Sequence, residues 1–150
     1  KKLAYTSLVR SKLEYASAIW DPSQLYLSLS LEAVQNRAAR FIVADFSRNS
    51  SVSSIKQQLN LTSLDKRRLV ARLLLFHRFI HNFPSDIPPF SRSSVTFPRF
   101  DHRFKVNRFE CRTNIYSKSF FCKSAIDWNS LPSQIADITD HSLFHRSLTN

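Results

Sequence analysis

Leu31-Glu-Ala-Val-Gln-Asn-Arg-Ala-Ala-Arg-Phe-Ile-Val-Ala-Asp-Phe46 is the stretch whose reading decides the fold. Leu31, Val34, Ala38 and Phe41 recur at steps of three and four residues, and Leu27 extends the series backwards. On a 3.6-residue period they form one stripe, which predicts an amphipathic helix that buries it. Arg40 falls opposite the stripe and Arg37 on its flank, so the helix has a basic face to offer. Asp21 can cap this helix, Pro22 suits its first turn, and Gln24 stands where a capping-box partner belongs. The pattern predicts one helix from about Pro22 to Asp45.

Working outward, residues 2–19 read as a helix with Tyr5, Leu8, Val9, Leu13, Ala16 and Ile19 on its apolar face. Trp20, just before the Asp-Pro break, is expected to pack in the core between these first two helices. Five serines and an asparagine make 47–54 a loop, and Val52, Ile55 and Leu59 predict a short helix after it. Residues 61–83 give the strongest helical signal. Thr62 or Ser63 can cap it, and Asp65 sits in the first turn, where the helix dipole favours an anion. Leu69, Leu73, Phe76, Ile80 and Phe83 step by four and three, and Val70, Leu74, Leu75 and Phe79 widen the arc. Only a strip around Arg67 and Arg78 stays polar, which predicts the central helix of a bundle.

Pro84, Pro88, Pro89 and Pro98 make 84–100 a connector. It separates a helical region, 1–83, from a basic aromatic region, 101–150. Within the latter, Phe104-Lys-Val106 and Cys111–Tyr116 are expected to form a short β-hairpin. Ser119–Asn129 reads as a short helix stopped by Leu131-Pro132. Thr139 or Asp140 can cap a last helix carrying Leu143, Phe144 and Leu148. The fold class expected is mainly α, an antiparallel helical bundle.

The 150 residues carry a net charge of +11 and a sequence pI near 10.3. Nucleic acid is the first partner such a surface suggests; an anionic membrane surface or an acidic protein is second. At 43% hydrophobic residues the composition is globular. Glycine is absent, which rules out a glycine-rich phosphate loop and forces any positive-φ position onto another residue. Lys12 and Glu14 interrupt the first apolar stretch, which excludes a signal peptide or membrane span there. Cys111 and Cys122 lack metal-pair spacing; one disulfide is open to them, though free thiols of an intracellular protein are the expectation. The expected location is accordingly nuclear or cytoplasmic rather than secreted, and the two sequons, Asn49-Ser-Ser51 and Asn60-Leu-Thr62, read as chance. The first residue is Lys1 and methionine is absent, so a fragment or a decayed reading frame is expected.

No catalytic constellation stands out. The eleven acidic residues are scattered, whereas polymerase chemistry needs clustered carboxylates to hold metal ions. Asp86 followed by Glu110-Cys-Arg112 only loosely fits a nuclease pattern. His77 with His81 and His141 with His145 have the i, i+4 spacing of paired zinc ligands, but no spacing points to a third ligand among His102, Cys111 and Cys122. Hence no catalytic residue, metal or cofactor is expected in the chain. Cations are the candidates instead. Arg37, Arg40, Lys66, Arg67 and Arg68 lie on helix faces, and Arg103, Lys105, Arg108 and Arg112 alternate with rings in 99–123. Cations among aromatics suit single-stranded nucleic acid, the charges following phosphates and the rings stacking on bases. Rings turned inward against the helices are the competing reading.

Ser7-Leu-Val-Arg-Ser-Lys-Leu-Glu-Tyr15, Ile19-Trp20-Asp21-Pro22 and Val34-Gln-Asn-Arg-Ala-Ala-Arg-Phe-Ile42 together resemble one known region. It is the segment just downstream of the reverse-transcriptase palm in LINE-type (non-LTR) retrotransposons, of the jockey-like, tick-transposon group. The likeness resumes at Phe120-Phe121 and at Asp127-Trp128-Asn129-Ser-Leu131-Pro132 and is weakest over 84–100. It implies a thumb-like helical region that grips RNA or an RNA–DNA hybrid, in a parent RNA-directed DNA polymerase with an endonuclease. The palm, with its Mg2+-binding Tyr-x-Asp-Asp motif, would lie outside this chain and be its second partner. Two alternatives stand beside that reading: a protein-interaction segment docking the palm, and a decayed copy without activity.

Overall fold

The computed structural model describes residues 1–82, 91, 93, 97 and 101–149. They form two compact units, Lys1–Leu69 and Val70–Asn150. Among the described residues the chain is mainly helical and has no strand. The connector expected over 84–100 lies almost wholly outside the described residues, as do Phe83, Asp86 and Phe100.

The first unit opens with α1 (Lys2–Ala4), a π-helical turn (Tyr5–Arg10) and α2 (Ser11–Glu14). The single helix expected over 2–19 is therefore broken. Ala16 takes a left-handed conformation at φ 51°, and α3 (Ser17–Trp20) follows. Trp20 is not a core residue. It is 41% exposed, and its indole donates a hydrogen bond to the Tyr15 carbonyl across the break.

Helix α4 (Leu25–Val43) fills the span predicted from Pro22 to Asp45, less a few residues at each end. Its buried face is only partly the one expected: of the stripe, Ala38 packs against the core and Leu31 is half-buried. Leu27, Val34 and Phe41 are exposed, Phe41 by 58%. Gln35 and Ala39 are buried instead, and Ala38, Ile42 and Val43 pack around a small core of Tyr5, Ala39, Ile55 and Leu61. Polar contacts select this face. The Tyr5 hydroxyl donates to Gln35 Oε1 at 3.0 Å, and Gln35 Nε2 donates to the Thr62 carbonyl at 3.0 Å. Burial pushes the Tyr5 phenol up to about 12, so it is a permanent donor. The expected cap also changes place. Gln24 stands at the N-cap with no side-chain capping bond, and Asp21, the expected cap, accepts from Arg68 instead. Helix α5 (Val52–Gln58) is capped by Ser51 and brings Ile55 and Leu59 to the core, as its spacing predicts.

Helix α6 (Leu64–Asn82) starts in the first unit and continues into the second. Glu32 Oε2 accepts from the Leu64 amide at 2.9 Å, and Ser63 Oγ accepts from Lys66. Leu64, Leu73, Phe76 and His77 are buried and Arg78 is exposed, in line with a nearly all-round apolar helix.

The second unit continues with α7 (Asn114–Ser117), α8 (Phe120–Asn129), α9 (Ser133–Ala136) and α10 (His141–Thr149). Asp140 caps α10 through the Leu143 amide at 2.7 Å. The expected hairpin does not form: residues 114–117 are helical, and Val106 is held from elsewhere. Its amide donates to Asn129 Oδ1 at 3.0 Å, and Asn129 Nδ2 donates to its carbonyl at 2.9 Å. Its neighbours Lys105 and Asn107 make backbone bonds to Ser93 and Ser91. A side-chain amide imitates a strand partner here, which alternation of residue types cannot reveal. Trp128 has no exposed surface. Its Nε1 donates to the Phe104 carbonyl at 2.9 Å, and Phe76 and Phe144 lie 5.4 and 5.8 Å from its ring.

Without glycine, other residues take positive φ; among the described residues they are Ala16, Ala44 and Asn60. Ala44 ends α4 at φ 59°, where its amide and that of Asp45 close onto Arg40 and Phe41 carbonyls. This is the left-handed terminator that glycine occupies at least cost. Ala44→Gly should raise the stability of the chain by about 1 kcal/mol, since a Cβ there costs about 1–2 kcal/mol. Urea unfolding checks this; an unchanged or lower midpoint would contradict the strain assigned to Ala44.

Candidate nucleic-acid interface

The nine candidate cations divide sharply by environment. Arg68 has only 2% of its surface exposed. Its Nε donates to Asp21 at 2.7 Å, and its terminal nitrogen reaches Ser28 Oγ at 2.6 Å and Asp65 at 3.0 Å. It holds the first unit together and offers no surface to a phosphate. Arg67 makes a two-pronged pair with Glu14, and that hydrogen-bonded carboxylate holds the guanidinium pKa above its ordinary value. Arg40 donates to the Ser47 and Ser50 carbonyls at 2.8 and 3.1 Å and fastens the 47–50 loop to α4. Lys105 is half-buried on Asp101 at 2.7 Å. Arg103 is exposed, 3.5 Å from Asp137 and 4.6 Å over the Phe104 ring.

Arg37 and Lys66 in the first unit, and Arg108 and Arg112 in the second, are exposed and pair with no other described residue. Arg48, Arg78, Lys118 and Arg146 join them on exposed positions. The cause lies in the acids. Glu14, Asp21, Glu32, Asp65, Asp101, Asp127 and Asp137 are each engaged by a cation of the same unit. Most of the acidic complement is thus spent on pairs within a unit, and exposed cations such as Arg37, Lys66, Arg108 and Arg112 are left unbalanced. Arg72, outside the expected set, is another internal cation, buried against Asp127.

The rings of 99–123 mostly turn inward. Phe104 is buried against His81, and Phe109, Phe120 and Phe121 pack on one another, with Phe120 also on Phe79. Tyr116 stays exposed. Base stacking by the phenylalanines would need them to leave this packing. An open groove of about 440 Å³ in the second unit is lined by Leu74, His141, Ser142, His145, Arg146 and Thr149.

The histidines lie in the second unit. Among the described residues no group of three or more His, Cys, Asp or Glu side chains is placed to hold a metal. His77 is fully buried and stacks on Phe144 at 4.4 Å. Its Nε2–H donates to the Ile138 carbonyl at 2.8 Å, so its Nδ1 is left as an acceptor, 3.4 Å from His141 Nδ1. Residues 64 positions apart meet here, which i, i+4 spacing within each helix cannot foretell. Burial holds both imidazoles below the ordinary 6.5, aided for His141 by Arg78.

No protein-family model matches the chain, and no curated protein or solved structure matches it. Among the described residues no helix is long and apolar enough to cross a membrane.

Two measurements test these assignments. Asp21→Ala leaves the buried Arg68 Nε without its acceptor, with Asp65 still paired to the terminal nitrogen, and should cost about 1–3 kcal/mol in urea unfolding. Lys66→Ala, on an exposed and unpaired side chain, should shift the same curve by no more than about 0.5 kcal/mol. Equal effects would overturn the division between internal and surface cations. His77 gives the pH dependence. Its folded pKa lies below the unfolded value, so the unfolded chain binds the proton first. Stability is then full above about pH 6.5 and falls as pH drops through the folded pKa. His77 should titrate below 6.5 by NMR; a value above it would contradict the buried neutral imidazole.

Proposed function

We propose that this chain is a non-catalytic, nucleic-acid-binding segment of an RNA-directed DNA polymerase of the non-LTR retrotransposon type. One observation carries the reading: the cations left over after internal pairing are exposed in both units. Phosphate contacts of this kind set affinity and register without reading sequence. Arg37 and Lys66 serve as backbone contacts from the first unit, and Arg108 and Arg112 from the second, with Arg103 available only by giving up its exposed pair with Asp137. Arg40, Arg67 and Lys105 contribute only through their residual exposed edges, and Arg68 acts by holding the fold. The thumb-like bundle, the parent polymerase activity with Mg2+ in its palm, and the preference for RNA or an RNA–DNA hybrid rest on the sequence resemblance.

The apolar stripe of α4 supports a second, compatible role. Leu27, Val34 and Phe41 recur at seven-residue intervals on one helix face and are exposed. Leu3, Leu8 and Leu25 of the same unit are exposed as well. Exposed apolar residues on one helix face suit a docking surface, and in the proposed parent the palm is its occupant. A lone chain should then self-associate in analytical ultracentrifugation, and Phe41→Ser should relieve it without lowering the unfolding midpoint.

Fluorescence anisotropy against a short RNA–DNA hybrid across a salt series tests the main reading. Neutralising about six phosphates gives a log–log salt slope near −4 to −5. Charge reversal at Arg108 or Lys66 should flatten that slope by about 1 each. A folded chain with a slope near zero would contradict nucleic-acid binding and leave docking as the function.

A further inference from the structure

We propose that Cys111 and Cys122 form a reversible disulfide that fastens the basic segment ahead of α7 to the first turn of α8. The two Sγ atoms stand 2.9 Å apart, well inside the contact distance of unbonded sulfurs and within about 1 Å of the S–S bond length of ~2.05 Å. Residues on both sides of Cys111 hold it there. The Phe109 ring packs on Phe121 at 6.1 Å, directly beside Cys122, and the Phe109 carbonyl accepts from Cys111 Sγ at 3.3 Å. Two residues later Thr113 caps α7 through the Tyr116 amide. Closing the bond therefore needs little movement of the backbone.

The two thiols differ in access, which sets the order of events. Cys111 is exposed and Cys122 is buried. A small disulfide oxidant such as oxidised glutathione is attacked by the Cys111 thiolate, forming a mixed disulfide and releasing one glutathione thiol. Cys122 then gives up its proton to solvent, attacks Cys111 Sγ and expels the second glutathione. Two electrons pass from the cysteine pair to the oxidant, and the bond closes within one chain. The contact with Cys122 raises the Cys111 pKa, so the first step should quicken as pH rises. Arg108 and Arg112 sit on the segment that becomes pinned. Oxidation thereby orders two of the cations assigned to phosphate contact; the bond itself does not depend on that assignment.

The test equilibrates the chain with mixtures of reduced and oxidised glutathione, quenches with acid, alkylates free thiols and weighs the product. The expected product is a monomer lighter by two hydrogens, with neither cysteine alkylated. Its equilibrium constant for oxidation should be about tenfold or more above that of the same chain in urea. Equal constants in native and urea-unfolded chains would overturn the proposal, because proximity along the sequence would then explain the bond. So would disulfide-linked dimers, or persistent mixed disulfides at Cys111 alone. Loss of nucleic-acid binding would leave these readouts untouched, so the two proposals fail separately.

Discussion

Trp128 is the constraint on which the second unit depends. Its ring has no exposed surface and lies against Phe76, His77, Phe144 and His102. A buried ring of that size contributes about 3–5 kcal/mol on the evidence of truncation, but its neighbours make it more than a filler. Asp127 holds the buried Arg72 of α6, Trp128 Nε1 holds the Phe104 carbonyl, and Asn129 brackets Val106 through both its polar atoms. The Trp128 carbonyl in turn accepts from His102 Nε2 at 3.0 Å. Three consecutive residues thus fix a helix, an irregular segment and a histidine-rich core at once. Irregular backbone is costly to bury unless its polar groups are paired, and this trio supplies the pairs.

The first unit solves the same problem with charge. Buried Arg68 is held by Asp21, Asp65 and Ser28, and Glu32 joins Lys56 to the start of α6. Breaking such a pair strands a charge and is more costly than forming it is favourable. The consequence reaches the surface. Acids drawn into internal pairs cannot neutralise the outer cations, so the way the fold is held and the basic exterior have one cause.

Element positions were legible because periodicity and capping are local. Helices α4, α5, α6, α8 and α10 lie where their spacing and caps place them, within a few residues. What failed depended on contacts between distant residues. The α4 stripe of Leu27, Val34 and Phe41 is exposed because Tyr5 and Thr62 claim Gln35, and a polar residue carries no hydrophobic signal for burial. Trp20 and the first helix depart from expectation because Ala16 breaks the chain in a conformation that alanine rarely adopts. The hairpin gave way to the clasp of Asn129 on Val106. Of the candidate cations, composition showed that a surplus exists but not which members are consumed. Arg68 and Lys66 stand two positions apart on one helix, and Arg68 is the one paired with acids. Asp21 and residues 127–129 belong to the stretches that carry the resemblance, and their tasks in the structure are to hold Arg68, Arg72 and Val106.

The central claim is that solvent-facing, unpaired cations, and not those in internal pairs, meet nucleic acid. Lysine footprinting with an acylating reagent, with and without an RNA–DNA hybrid, tests it most directly. The account predicts that Lys66 and Lys118 lose reactivity when the hybrid is added, while Lys56 and Lys105, already held by Glu32 and Asp101, change little. Unaltered labelling at Lys66 and Lys118 in the presence of saturating hybrid would contradict it.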